Sequence, residues 1–216
     1  FYDEELLLDI RMNILSSFVD YFVIVESKYF HNGLERELKF NKDKYSKFKE
    51  KIIYIVHDQQ PIEVKKINDN DSETQKSIKK IMNAHIREND QRNYIEKGLN
   101  NAKEDDLILI SDVDEIPNLD NLNLKNIRNK IIMFEQNIFY YKLNRYLNHF
   151  TWFGTKACRK KNLISPQWLR NIKSNKYSFL RIDTFFSKLK YINKLYIKDG
   201  GWHFSNLKNS KEIELK

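Results

Sequence analysis

The sequence predicts an α/β domain, and three short apolar runs predict it: Tyr21-Phe22-Val23-Ile24-Val25, Ile52-Ile53-Tyr54-Ile55-Val56 and Leu107-Ile108-Leu109-Ile110. Runs with no polar alternation suit strands buried on both faces of a parallel sheet. Each follows a helical or polar stretch, which is the spacing of βαβ units. At 216 residues the chain can bury one continuous core. We therefore expect a single domain with a mostly parallel central sheet and a mixed or antiparallel C-terminal part.

Taken in order, residues 3–18 place Leu6, Leu7, Ile10, Ile14 and Phe18 at helical spacing, with Asp3 as N-cap. The first apolar run follows and ends in a carboxylate, Glu26. From Ser72 to about Ala102 the pattern is again helical, with Ile78, Met82, His85 and Ile86 near one face and Gly98 close to the end. The third run leads directly into an acidic turn. Beyond Pro117 the texture changes: Ile131–Arg145 is rich in β-branched and aromatic residues, as in mixed or antiparallel strands. Short strands are expected around Thr151–Arg159 and Lys194–Lys198, and a turn at Gly200–Ser205 before a charged tail. No internal repeat or interdomain linker is visible.

Composition excludes several classes. Hydrophobic residues make up 41% and aromatics 13%, with only 5 Gly and 3 Pro, so the chain is neither disordered nor of low complexity. Its longest apolar run falls far short of the roughly 18 residues of a membrane span. No secretory leader pattern opens it, and the lone Cys158 excludes an intrachain disulfide framework. A reducing, cytoplasmic setting is the expectation. The net charge of +8 and pI near 9.3 suit phosphate-bearing substrates, peripheral contact with anionic surfaces, or nucleic acid.

The acidic turn is Ser111-Asp112-Val113-Asp114-Glu115-Ile116-Pro117. Ligands of open α/β sheets gather at the carboxyl ends of strands, and an i, i+2 carboxylate pair there can address one cation. Mg²⁺ and Mn²⁺ favour oxygen ligands that bridge to diphosphate, and a metal so placed offsets charge on a departing nucleoside diphosphate. Alone, Asp-x-Asp is a common solvated loop or helix cap. The preceding strand, the third carboxylate and the closing proline shift the reading towards a metal site. A phosphatase-type Asp nucleophile also follows a buried strand, but that motif usually opens its domain.

At this point the residues resemble glycosyltransferase family 17, relatives of the enzyme that adds the bisecting N-acetylglucosamine to N-glycans. The resemblance is carried by Glu5-Leu6-Leu7-Leu8-Asp9-Ile10-Arg11, Val19–Ser27, His31-Asn32-Gly33 and Leu38-Lys39-Phe40. It continues through Glu88–Ile95, Asp105–Pro117 and Gly201-Trp202-His203-Phe204-Ser205. It implies a GT-A type Rossmann-like fold, with a donor-binding half of about 1–117 and an acceptor-side half of about 118–216. It further implies transfer with inversion to a β-linked product, from a donor such as UDP-N-acetylglucosamine, with Mn²⁺ or Mg²⁺ as cofactor. The chain reads as a microbial or viral relative acting on another glycan. The resemblance also favours His203 as a third metal ligand beside Asp112 and Asp114, over a stacked structural histidine.

Other site residues follow from position. Glu26, at the end of the first strand, could accept hydrogen bonds from the nucleoside. Arg92 could bind the diphosphate, although Glu88 four residues earlier could hold it as a surface ion pair; Arg170 is a further diphosphate candidate. Inversion needs a carboxylate base, for which Glu115, Asp183 and Asp199 are candidates; Asp199 adjoins the Gly-Gly-Trp-His segment, and Glu115 could instead orient the metal site. Trp152, Trp168 and Trp202 could stack on sugars or form core. Two other functions remain in view. A nucleic-acid-binding module would show a continuous Lys/Arg stripe, whereas here lysines alternate with carboxylates. A sugar-nucleotidyltransferase would show a Gly-rich phosphate loop after the first strand, where Val25-Glu26-Ser27-Lys28 stands instead.

Overall fold

The computed structural model describes residues 1–120, 122–123 and 126–207. In chain order the elements are α1 (Glu5–Leu15), β1 (Phe22–Ser27), β2 (Ile52–His57), α2 (Glu73–Asn93), β3 (Leu107–Ile110), β4 (Glu115–Pro117), β5 (Ile131–Phe134) and β6 (Gln136–Tyr140). They continue with β7 (Tyr146–Trp152), β8 (Lys156–Arg159), α3 (Pro166–Asn171), α4 (Asp183–Phe186), β9 (Lys194–Ile197) and β10 (Gly201–Ser205). The content is mixed α/β, with parallel and antiparallel strands. The chain divides into two compact units, one of residues 1–4 and 19–101, the other of residues 5–18 and 102–216.

In the first unit, β1 and β2 pair in parallel, in register from Phe22↔Ile52 to Ser27↔His57. Gly98 can lie against them because it has no Cβ, which would meet the side chains of Val23 and Ile55. The helix after β2 begins at a capping box: Ser72 Oγ accepts from Gln75 N–H while the Gln75 side chain accepts from Ser72 N–H. It stops at Asn93 and tightens into a 3₁₀ turn over Tyr94–Leu99, short of the predicted end near Ala102. Its expected apolar face is not buried: Ile78 and Met82 are exposed and Asn83 is the buried residue. Polar bonds fix α2 instead. The Asn83 amide pairs with both backbone groups of Lys65, and Asp90 holds His57 Nε2 at 2.7 Å.

The second unit contains two four-stranded sheets, ordered β3-β8-β5-β9 and β4-β10-β6-β7. The expectation of three parallel N-terminal strands is corrected here, because β3 pairs antiparallel with β8. Strand β3 lies at the edge of its sheet, with Ile108 and Ile110 buried and Leu107 and Leu109 half-buried, so its apolar run does not choose its neighbour. Segment Gly201–Ser205, expected as a turn, is strand β10 between β4 and β6. Trp202, His203 and Phe204 suit a strand. Gly201 allows the tight entry: it has φ +125°, and a Cβ there would strike the Ile116 carbonyl oxygen. The core of this unit is densest at Ile131, Ile132, Met133 and Phe134, all buried. Helix α1 buries Leu7, Leu8, Met12 and Leu15; its first helical residue is Glu5, later than the predicted cap at Asp3 allowed.

Candidate active site

The acidic turn closes on itself. Glu115 N–H donates to the Asp112 carbonyl at 3.1 Å, and Asp112 N–H donates to Glu115 Oε2 at 2.9 Å. Arg11 of α1 buttresses it, donating to the carbonyls of Asp112 and Glu115 and to Ser111 Oγ. Burial pushes the Arg11 guanidinium down to about 10, and the three nearby carboxylates oppose that shift, so it is charged at neutral pH. Strand β4 then carries the chain into register with β10, setting Glu115 opposite His203. Phe204 N–H donates to the Asp114 carbonyl at 2.9 Å.

These pairings bring Asp112, Asp114, Glu115 and His203 together, with Arg170 and Trp152 against them. His203 Nε2 stands 3.4 Å from Asp114 Oδ2, with its ring stacked on Trp152 at 5.0 Å between centroids. His203 Nδ1 is buried and has no hydrogen-bond partner among the described residues. Asp112 Oδ2 accepts from Arg170 at 2.8 Å. Glu115, 1% exposed, accepts two N–H bonds from Arg170 at 2.8 and 3.0 Å and one from Trp152 Nε1 at 2.7 Å. Gly154 makes this approach fit, since a Cβ there would meet the Glu115 carboxyl carbon at 2.5 Å. Burial works against the charge of Arg170, and the carboxylates of Glu115 and Asp112 outweigh it, raising its pKa.

The donor types suit a hard divalent cation: Asp114 and His203 face each other, and Asp112 adds a second carboxylate. Among the described residues, however, no three such side chains converge as a ready cage, because the Asp112 carboxylate turns to Arg170. The three candidate bases stand in different surroundings. Both Glu115 carboxylate oxygens already accept N–H bonds, from Asp112, Arg170 and Trp152. Asp199 is exposed, in a left-handed turn with φ +48°. It precedes β10, in which His203 is the third residue, and its neighbour Gly200 accepts from Asn118 N–H just beyond the acidic turn. Asp183 is bonded to Arg181 and Lys190.

In the first unit, Glu26 is fully buried and accepts from Lys39 N–H, Phe40 N–H and Tyr54 OH at 2.8–3.0 Å. With Arg36 at 3.5 Å, these partners make it an internal tie that shapes the loop after β1. Arg92 donates to Glu88 at 3.0 Å, the i, i+4 pair weighed above.

Next to Arg170 and Trp152 lies an open cleft of about 630 Å³, lined also by Phe150, Phe153, Lys156 and Ser174. Its wall after α3 is held through carbonyl oxygens. Lys156 Nζ donates to those of Arg170 and Ile172, Lys194 Nζ to those of Lys173 and Asn175, and Tyr196 OH to that of Ser174. Burial, then the charge of Arg170, pushes Lys156 down to about 7, and burial pushes Lys194 down to about 8. Sequence reasoning missed these lysines, Gly154 and the buttress at Arg11. Only Arg11 left a signal, as a cation between the buried Leu8 and Met12 of an amphipathic helix.

A model of glycosyltransferase family 17 matches residues 1–216, the whole chain. The chain belongs to glycosyltransferase family 17. Membership makes it a glycosyltransferase, with a sugar donor and an acceptor as its substrates. No curated protein and no solved structure matches it. Among the described residues, no helix is long and apolar enough to cross a membrane.

Proposed function

We propose that this family 17 glycosyltransferase moves N-acetylglucosamine from UDP-N-acetylglucosamine to a glycan acceptor, with inversion and with Mn²⁺ or Mg²⁺ bound at the acidic turn. The observation that carries the reading is the β4–β10 register, which returns His203 to Asp114 beside Asp112. Asp112, Asp114 and His203 would hold the cation, and a GT-A type arrangement of the domain accords with an acidic turn directly after a buried strand. The bound metal would supply positive charge to the diphosphate as it leaves.

The chain's own groups have separable tasks. Arg170 brings a second, fixed positive charge beside Asp112, suited to diphosphate oxygens. Glu115 holds Arg170 and the indole of Trp152 in place, and Trp152 in turn backs the imidazole of His203. Glu26 shapes the loop after β1 and leaves the donor to other groups, and Arg92 is assigned to its ion pair with Glu88. In the reaction the acceptor hydroxyl attacks the anomeric carbon and expels the nucleoside diphosphate, its proton passing to a carboxylate base.

The test is sugar release and transfer from a panel of sugar nucleotides with Mn²⁺. Asp112→Asn and Asp114→Asn should each lower transfer at least about 100-fold, in line with the loss of a main electrostatic group, while circular dichroism stays unchanged. Near wild-type transfer by both variants would remove the acidic turn from the mechanism. A sugar-nucleotidyltransferase would instead make sugar nucleotide from nucleoside triphosphate and sugar phosphate.

A further inference from the structure

Within the second unit, residues 173–189 form a loop whose two ends meet at a closed neck. Lys173 N–H donates to the Leu189 carbonyl at 2.9 Å, and Trp168 Nε1 to the Lys188 carbonyl at 2.7 Å. Lys194 holds the carbonyls of Lys173 and Asn175, and Tyr196 that of Ser174. Inside the loop, Arg181 N–H donates to Ser178 O, and Thr184, which is buried, bonds back to Arg181 O through both its N–H and its hydroxyl. The base is thus fixed by hydrogen bonds, and the tip has a defined turn and the short helix α4.

The tip faces solvent with its apolar side chains. Phe179, Leu180, Ile182, Phe185 and Phe186 are between 71% and 86% exposed. Isolated exposed apolar residues are ordinary, but a contiguous group marks a contact surface. The same loop carries Lys173, Lys176, Arg181 and Lys188, with Lys190 just beyond it, against a single carboxylate, Asp183. Arg181 and Lys190 both bond Asp183 at 2.7 Å, so its charge is already matched.

We propose that the 173–189 loop is a membrane-surface anchor, with its Phe, Leu and Ile side chains entering the headgroup–acyl boundary of an anionic bilayer and its lysines on the headgroups. Apolar residues flanked by cations are the chemistry of interfacial binding. A protein partner fits less well, because interface cores are depleted in lysine. Symmetric pairing with a second copy would bring two cationic loops together. Insertion of side chains needs no spanning helix.

Cosedimentation of the full chain with vesicles of 30% phosphatidylserine in phosphatidylcholine, against pure phosphatidylcholine, tests this. Binding to the anionic vesicles should be at least tenfold stronger and should weaken several-fold between 0.1 and 0.5 M NaCl. The double variant Phe185→Ser/Phe186→Ser should lose at least tenfold, and Lys176→Glu/Lys188→Glu should abolish the preference for anionic lipid. Both should keep the wild-type melting temperature and transfer to a soluble acceptor, because these side chains are exposed and lie outside the acidic turn. Absence of vesicle binding by the wild type, or equal binding by the phenylalanine variant, overturns the proposal. So does a wild-type dimer in sedimentation velocity that the phenylalanine variant dissolves. Vesicle binding is read without turnover, so these outcomes are independent of the assigned reaction.

Discussion

At the scale of single residues, the site is a set of charges that neutralise one another through short bonds, and the least expected members are amines. Lys156 is 6% exposed, and its two carbonyl acceptors match the two N–H groups a neutral amine retains. The wall after α3 is therefore held in either protonation state, while the free energy of folding is not indifferent to pH. Burial lowers the native pKa to about 7 for Lys156 and about 8 for Lys194, whereas the unfolded chain keeps both protons to about pH 10.4. Between pH 7 and 8.5 the unfolded state binds more protons, so stability rises with pH. The gain is on the order of 1–2 kcal/mol across that window. Above it Cys158 opposes the trend, because burial holds its thiol up to about 12 and the unfolded chain loses that proton first. Urea midpoints at pH 7.0 and 8.5 measure the effect. The wild-type midpoint should increase, and the increase should shrink in Lys156→Met. A wild-type midpoint that falls over this range would contradict the burial of these amines.

At the scale of elements, the site depends on a three-residue strand meeting a five-residue one. Gly201 is where that meeting is tightest: it has φ +125°, and a Cβ would collide with backbone of Ile116, Pro117 and Asn118. Backbone cannot step aside as a flexible side chain can, so Gly201→Ala should cost on the order of 3 kcal/mol. It should also weaken Mn²⁺-dependent donor binding, because His203 rides on the displaced strand. Chemical denaturation and calorimetry at a temperature where the variant is folded separate the two losses. Unchanged stability would mean that the β4–β10 approach is looser than described. This element also shows what the sequence could and could not reveal. Apolar runs exposed the strands β1, β2 and β3, because no apolar residue of Phe22–Val25, Ile52–Val56 or Leu107–Ile110 is left exposed. Their partners were not legible, since β3 finds β8 some fifty residues later and nothing in Leu107–Ile110 encodes that choice. The carboxylates Asp112 and Asp114 stood out through their place after a strand. The contacts that organise them come from Arg11, Trp152 and Arg170, far apart in sequence and individually ordinary.

At the scale of the whole molecule, the chain consists of two compact units, and every group assigned to the cation belongs to the second. Asp112, Asp114, His203 and Arg170 all lie in residues 102–216, braced by Arg11 from the 5–18 segment of the same unit. A ligand that binds only the folded site stabilises the structure that contains it by mass action. At a free concentration about 100 times its dissociation constant, that gain is about 2.7 kcal/mol. For a domain of this size the shift in melting temperature is roughly 5–10 °C. We therefore expect scanning calorimetry with Mn²⁺ and UDP-N-acetylglucosamine to raise the transition of the second unit. If the two units melt separately, the transition of residues 1–4 and 19–101 should move less. Chelation with EDTA should return the thermogram to that of the free chain, and Asp114→Asn should show no increment at any Mn²⁺ concentration. An increment that survives EDTA would mean that the donor binds without the cation, and the role of Asp112, Asp114 and His203 would then have to be electrostatic positioning of Arg170 alone.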